Sequence, residues 1–82
     1  MFQEPPPSAL EEYGRSLGLT PREVEVLFWI SEGKSNCEIA IILGACTGTI
    51  RKHVEHILSK LSVENRTAAA VMALRRRLTA PL

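Results

Sequence analysis

Arg51 and Lys52 are adjacent and Glu55 follows three positions later, a grouping with complementary hydrogen-bond chemistry. Lys and Arg can donate to guanine O6 and N7, and a carboxylate can accept from cytosine N4. Other reactive side chains offer less. His53 and His56 have the i, i+3 spacing that metals use, but no third ligand is adjacent, so no metal site is expected. Cys46, near a helix start, sits where a thiol can act as a redox sensor, although small buried cysteines that only fill space are far commoner. Ser35, Thr47 and Ser59 lack a His and acid partner pattern and have ordinary capping or solvent-facing roles. No catalytic residue, no enzyme activity and no cofactor is expected.

A helix has to hold the first group. Ile50, Val54, Ile57, Leu58 and Leu61 recur at helical spacing, and at 100° per residue they fill an arc of about 100°. Lys52, Glu55, His56 and Ser59 then point the opposite way, with Arg51 and Thr49 on the two edges. Before this helix, Ser35-Asn36-Cys37-Glu38 is a capping box. Ile39, Ala40, Ile42 and Leu43 are the expected buried side of a short helix stopped by Gly44. Two helices separated by a tight Gly-containing turn are the unit that places a helix in the DNA major groove.

The flanking elements follow from the same signals. Thr20-Pro21-Arg22-Glu23 is a second capping box, with Pro at the first helical position, and its helix should end at Gly33 with Val26, Leu27 and Ile30 facing the core. Ser8-Ala9-Leu10-Glu11 has the same spacing and opens a short helix closed by Gly18. Pro5-Pro6-Pro7 is stiff and extended, so residues 1–7 read as tail or linker. An Ala-rich segment capped near Asn65 runs to about Leu78 and ends in Arg75-Arg76-Arg77, next to the negative end of the helix dipole. The expected fold is all-α: a compact four-helix bundle with a helix-turn-helix, plus a short N-terminal helix. The expected division is residues 1–18 as tail and short helix and 19–82 as the domain.

Eighty-two residues suit one small core, in which a deep, shielded catalytic cleft would be hard to build. The net charge of +1 conceals an asymmetry. Residues 1–33 hold two arginines against six glutamates, whereas residues 34–82 hold eight Lys and Arg against three glutamates. That split suits one surface that meets a polyanion. There is no Asp, which excludes an aspartyl phospho-acceptor, an aspartic dyad and an EF-hand loop from this chain. Two cysteines are no disulfide framework and are expected to be reduced. The apolar runs are too short to span a bilayer, and no secretory signal is visible, so a soluble cytoplasmic protein is expected.

Leu19-Thr20-Pro21-Arg22-Glu23, Glu25-Val26-Leu27, Glu32-Gly33-Lys34-Ser35-Asn36, Glu38-Ile39-Ala40, Leu43-Gly44, Gly48-Thr49-Ile50-Arg51-Lys52-His53-Val54, Ile57-Leu58-Ser59-Lys60-Leu61 and Asn65-Arg66-Thr67 closely resemble the LuxR-type, GerE-like or NarL-like helix-turn-helix domain over residues 19–78. The resemblance implies a bacterial transcription regulator, or its C-terminal output module, that binds double-stranded DNA as a homodimer. Its third core helix would read the major groove and its fourth would form a two-fold contact. By position, Arg51, Lys52 and Glu55 would face base edges, and since a carboxylate in a phosphate-lined groove is repelled unless it finds a donor, Glu55 would select cytosine or position Arg51 or Lys52. Lys34, Ser35, Asn36, Thr49, His53 and Lys60 would lie near phosphates. Thr67, Val71 and Leu74 would meet the partner subunit.

The sequence departs from the pattern in places. Cys46 replaces a common capping Ser, and a thiol is a poor acceptor, so Thr47 becomes the expected cap and the helix start shifts by one residue. Ala45 replaces a larger residue and should loosen the corner. Cys37 replaces a common Lys, which should make salt dependence mild. Val24 and Phe28 are apolar where charged residues are usual, and Trp29 is nearby. Either Leu10, Tyr13 and Leu17 fold over them, or they dock a regulatory domain, another subunit or RNA polymerase. Arg75-Arg76-Arg77 is either a solvated helix end or a nonspecific DNA contact. Two other functions remain open: a polymerase-associated module similar to the sigma region that holds the promoter −35 element, and a protein interaction domain.

Overall fold

The computed structural model describes residues 9–78; the Ser8 cap, the proline run and the last four residues lie outside that range. Five helices follow in order: α1 (Ala9–Ser16), α2 (Pro21–Ser31), α3 (Asn36–Leu43), α4 (Thr47–Leu61) and α5 (Arg66–Leu78). No strand occurs among the described residues. The all-α expectation holds.

Two of the expected capping boxes form completely. The Glu23 amide donates to Thr20 Oγ1 at 3.1 Å, and the Thr20 amide donates back to Glu23 Oε1 at 3.0 Å. Ser35 and Glu38 repeat the exchange at 3.2 and 2.8 Å. Each box satisfies amides that the first helical turn leaves unpaired. Gly44 closes α3 in the left-handed region, at φ 66° and ψ 37°, where a side chain would be strained. Asn65 starts α5 by accepting the Ala68 amide at 2.8 Å.

Two local expectations need correction. Cys46, not Thr47, occupies the cap position of α4, and it makes no side-chain cap bond. Thr47 is already the first helical residue, because the turn that leaves Gly44 reaches helical geometry before a Thr cap could form; the thiol in its place is too weak an acceptor to bind the exposed amides. Ile42 is 42% exposed rather than buried. In a helix of barely two turns only Ile39, Ala40 and Leu43 face inward, since they fall within an arc of about 100° and Ile42 lies about 60° beyond its edge.

The core joins all five helices. Leu10, Leu19, Val26, Leu27, Ile30, Ile39, Ala40, Ile50, Val54, Ile57, Leu61, Ala69 and Ala73 are buried together. α2 is central and packs against α1, α4 and α5, while α3 packs against α4. Val26, Leu27, Ile39, Ile50 and Ile57 are entirely buried, so truncating any of these to Ala should cost about 2–5 kcal/mol. No helix among the described residues is long and apolar enough to cross a membrane.

The N-terminal helix is part of this packing. Leu10 is 2% exposed, and Gly14 is buried against Val24 and Leu19, where an added Cβ would come 2.7 Å from Val24 Cγ2 and 3.1 Å from Leu19 Cδ1. Val24, Phe28 and Trp29 are half-buried against the core together with Tyr13. Leu17 is 37% exposed, because it lies beyond the last residue of α1. Gly14 of α1 therefore lies directly on Val24, and Leu17 takes no buried place in this packing.

The C-terminal arginines serve packing. The Arg76 guanidinium carbon lies 4.2 Å from the Tyr13 ring centroid, and that of Arg77 lies 4.4 Å from the Phe28 ring centroid. Arg77 Nη1 also donates to Ser31 Oγ at 2.7 Å, and Nη2 pairs with Glu32 Oε2 at 2.7 Å. Neither of the two sequence readings of this run anticipated the clasp of α5 onto α1 and α2.

Candidate nucleic-acid interface

α4 presents one face to solvent. Ile50, Val54, Ile57 and Leu61 are buried, which fixes the roll of the helix. Arg51, Lys52 and Glu55 are all exposed and share an arc of about 100° on the other side. Among the described residues these three make no hydrogen bond or ion pair within the chain, so their donors and acceptors are available to an external partner. Thr49 is exposed at the N-terminal end of the same helix and His53 is half-buried beside it. The uncapped first turn of α4, with Cys46 making no side-chain bond, leaves backbone donors where the helix dipole also favours an anion.

The loop before α3 supplies a second polar edge. Lys34 and Asn36 are half-buried and Ser35 is exposed. Arg66, the first residue of α5, reaches back to this edge: Nη1 donates to Asn36 Oδ1 and Nη2 to the Lys34 carbonyl, each at 2.6 Å. Burial pushes the Arg66 guanidinium below its ordinary value. The backbone amide and then the hydroxyl of Ser35 hold the Glu38 carboxyl below its ordinary range. α3 therefore begins with an ionised carboxylate directed into its own cap.

Lys60 and His56 converge on α2. Lys60 Nζ donates to Glu23 Oε1 at 2.7 Å and to the Gly18 carbonyl at 3.0 Å. His56 Nδ1 lies 3.5 Å from Glu23 Oε2. The Glu23 side chain is 3% exposed. Burial alone would raise its pKa, but the Lys60 hydrogen bond, the Thr20 amide and the charges of Lys60 and His56 outweigh burial and hold it below the ordinary value. Lys60 retains a third donor for an outside group.

On α5, Thr67, Val71 and Leu74 line one exposed side, with Val71 at 41% and Leu74 at 38% exposure, while Ala69 and Ala73 are buried on the other. Leu78, at 81% exposure, extends the same ridge. The sequence reading did not include it, although it lies four positions beyond Leu74, a spacing that keeps residues on one face. Arg66 was missed because its partners are thirty and more residues away.

The family described as GerE, bacterial regulatory proteins of the luxR family, matches residues 17–73. The chain belongs to the luxR family. Its relatives include the transcriptional regulatory protein LnrK of Bacillus subtilis, 44% identical over 66 residues, an overlap covering 80% of this chain and 30% of LnrK. The transcriptional regulatory protein LiaR of the same organism is 50% identical over 60 residues, covering 73% of this chain and 28% of LiaR. The response regulator protein VraR of Staphylococcus aureus is 45% identical over 60 residues, covering 73% and 29%. This luxR-family chain thus spans less than a third of the length of these relatives. The match covers α2, α3 and α4 entirely and most of α5, the elements that position the exposed face of α4.

Proposed function

We propose that this luxR-family chain binds double-stranded DNA sequence-selectively in transcription regulation, with α4 in the major groove and two copies meeting through α5. The observation that carries this reading is the outward face of α4, where Arg51, Lys52 and Glu55 are exposed and free of partners within the chain while the opposite face is locked into the core. Arg51 and Lys52 donate to base edges, and Glu55 accepts from cytosine or orients one of the two cations. Lys34, Ser35, Asn36, Thr49, His53 and the remaining donor of Lys60 set the register on phosphates. Thr67, Val71 and Leu74 form the two-fold contact. The concentration of basic residues after position 33 and the names of the relatives as transcriptional regulatory proteins support the same reading.

Selection of bound duplexes from a random pool, followed by sequencing, tests it by reporting half-site, spacing and symmetry together. The expected result is a two-fold site whose enrichment disappears with Lys52→Ala while the melting temperature is unchanged. Binding that requires polymerase core would favour the sigma-like module. No DNA affinity at any low salt would favour a protein interaction domain.

A further inference from the structure

Arg66 is in an unusual electrostatic position. It is half-buried, and as the first residue of α5 it places a cation at the helix end whose dipole repels one. Among the described residues it makes no ion pair; its guanidinium is held by a carboxamide oxygen and a backbone carbonyl. Both acceptors are neutral, and both belong to the edge that opens α3. A cation kept under these conditions without a carboxylate is left open to a counterion and a role from outside the chain.

The geometry of the bond to Asn36 suggests that role. A guanidinium has only donors, so the Asn36 atom facing it has to be Oδ1. The planar carboxamide then turns its NH2 group to the opposite side, away from Arg66. The second arm of the fork fixes the Lys34 carbonyl at 2.6 Å, which holds the backbone that carries the Lys34 ammonium and the Ser35 cap. A charged donor also polarises the amide it binds, strengthening the outward N–H groups as donors. We propose that Arg66 is a positioning residue for DNA phosphate: it fixes Asn36 as a donor and holds the Lys34–Asn36 edge in binding geometry, with the phosphate serving through Asn36 as its counterion. This inference rests on the DNA-binding reading and adds to it a residue that touches no DNA.

The test is a double-mutant cycle between Arg66 and Asn36 in the full 82-residue chain. A labelled random-sequence duplex is the probe, so that only backbone contacts are read, and affinity is measured across a salt series. Arg66→Gln and Asn36→Ala are each expected to weaken binding roughly tenfold, with the double mutant no weaker than the worse single mutant. Arg66→Gln removes the cation and should flatten the log K against log salt slope by up to about 0.9, whereas Asn36→Ala keeps every charge and should lower affinity at a nearly unchanged slope. Arg66→Lys keeps the charge but not the two-armed fork. It is expected to weaken binding at a nearly unchanged slope, and in a cycle with Asn36→Ala it carries the test if Arg66→Gln fails to fold by circular dichroism. Additive losses, or an affinity that Arg66→Lys leaves unchanged, would overturn the assignment of Arg66 while leaving DNA binding intact. If the parent chain does not bind the duplex at low salt, both the DNA-binding reading and this inference fall.

Discussion

Lys60 Nζ lies 2.7 Å from Glu23 Oε1, and the same carboxylate oxygen accepts the Thr20 amide that closes the cap of α2. One acid thus finishes one helix and anchors another. Because Lys60 is on the exposed-face helix α4, the bond sets the position of that helix against α2 near its C-terminal end, while Ile50 and Val54 set it near its beginning.

The Glu23 carboxyl has its pKa lowered in the folded chain, so the folded state binds fewer protons than the unfolded state as the solution is acidified. The resulting stabilisation is fully present above the ordinary Glu value of about 4.3 and is lost as pH falls through the lower native value. Glu23→Gln should cost about 1.5–3 kcal/mol near pH 7, the range for hydrogen bonds to charged groups. Denaturant titrations of both proteins at several pH values should show this gap closing below about pH 4. A gap that stayed constant with pH would mean that the charge of Glu23 contributes nothing.

Glu55 is the one acid on the proposed reading face. Replacing it with Ala removes a charge that repels phosphate, so affinity for a random duplex should rise at low salt while preference at one base-pair position relaxes by about 1–3 kcal/mol. Glu55 is exposed and unpaired within the chain, so stability should stay within about 0.5 kcal/mol. Competition binding against a panel of single base-pair variants reads both effects. Loss of all affinity would assign Glu55 to the positioning of Arg51 or Lys52.

The seam between α1 and α2 depends on a missing side chain. Gly14→Ala would gain helix propensity of about 1 kcal/mol, yet its Cβ would meet Val24 Cγ2 at 2.7 Å, and a β-branched side chain in a helix has few places to move. The clash should dominate, for a net loss of about 1–2 kcal/mol. In the Val24→Ala background the same substitution should be neutral or stabilising, which a double-mutant cycle on thermal melts measures directly.

Arg77→Ala should destabilise the fold by about 1–2 kcal/mol, since it removes the bond to Ser31, the pair with Glu32 and the contact with the Phe28 ring. Random-duplex affinity and its salt slope should be unchanged, because the guanidinium is already engaged within the chain. A flatter slope would restore the reading of this residue as a nonspecific DNA contact.

What could be read from the sequence was what local spacing encodes. The boxes at Thr20 and Ser35 are complete within three residues each, and the Ile50 to Leu61 stripe fixes the roll of α4 without reference to any other helix. Those signals gave the helices and the identity of the exposed face. Contacts between distant segments have no such spacing. Lys60 reaches Glu23 across 37 positions, Arg66 reaches Asn36 across 30, and Arg77 reaches Ser31 across 46. An Arg or Lys looks alike in sequence whether it will meet phosphate or a neighbouring helix, and only the packed fold separates the two. Ile42 shows the converse limit, because a helix of eight residues is too short for its pattern to define a buried side unambiguously.

The clasp formed by Arg76 on Tyr13 and Arg77 on Phe28 has a mechanical consequence. Arg76 fastens α5 to α1 and Arg77 fastens it to α2, so a pull or twist on α1 would be handed to the ridge of Val71 and Leu74 instead of dissipating in a slack joint. If two copies pair through α5 as proposed, α1 and that ridge behave as two ends of one short lever.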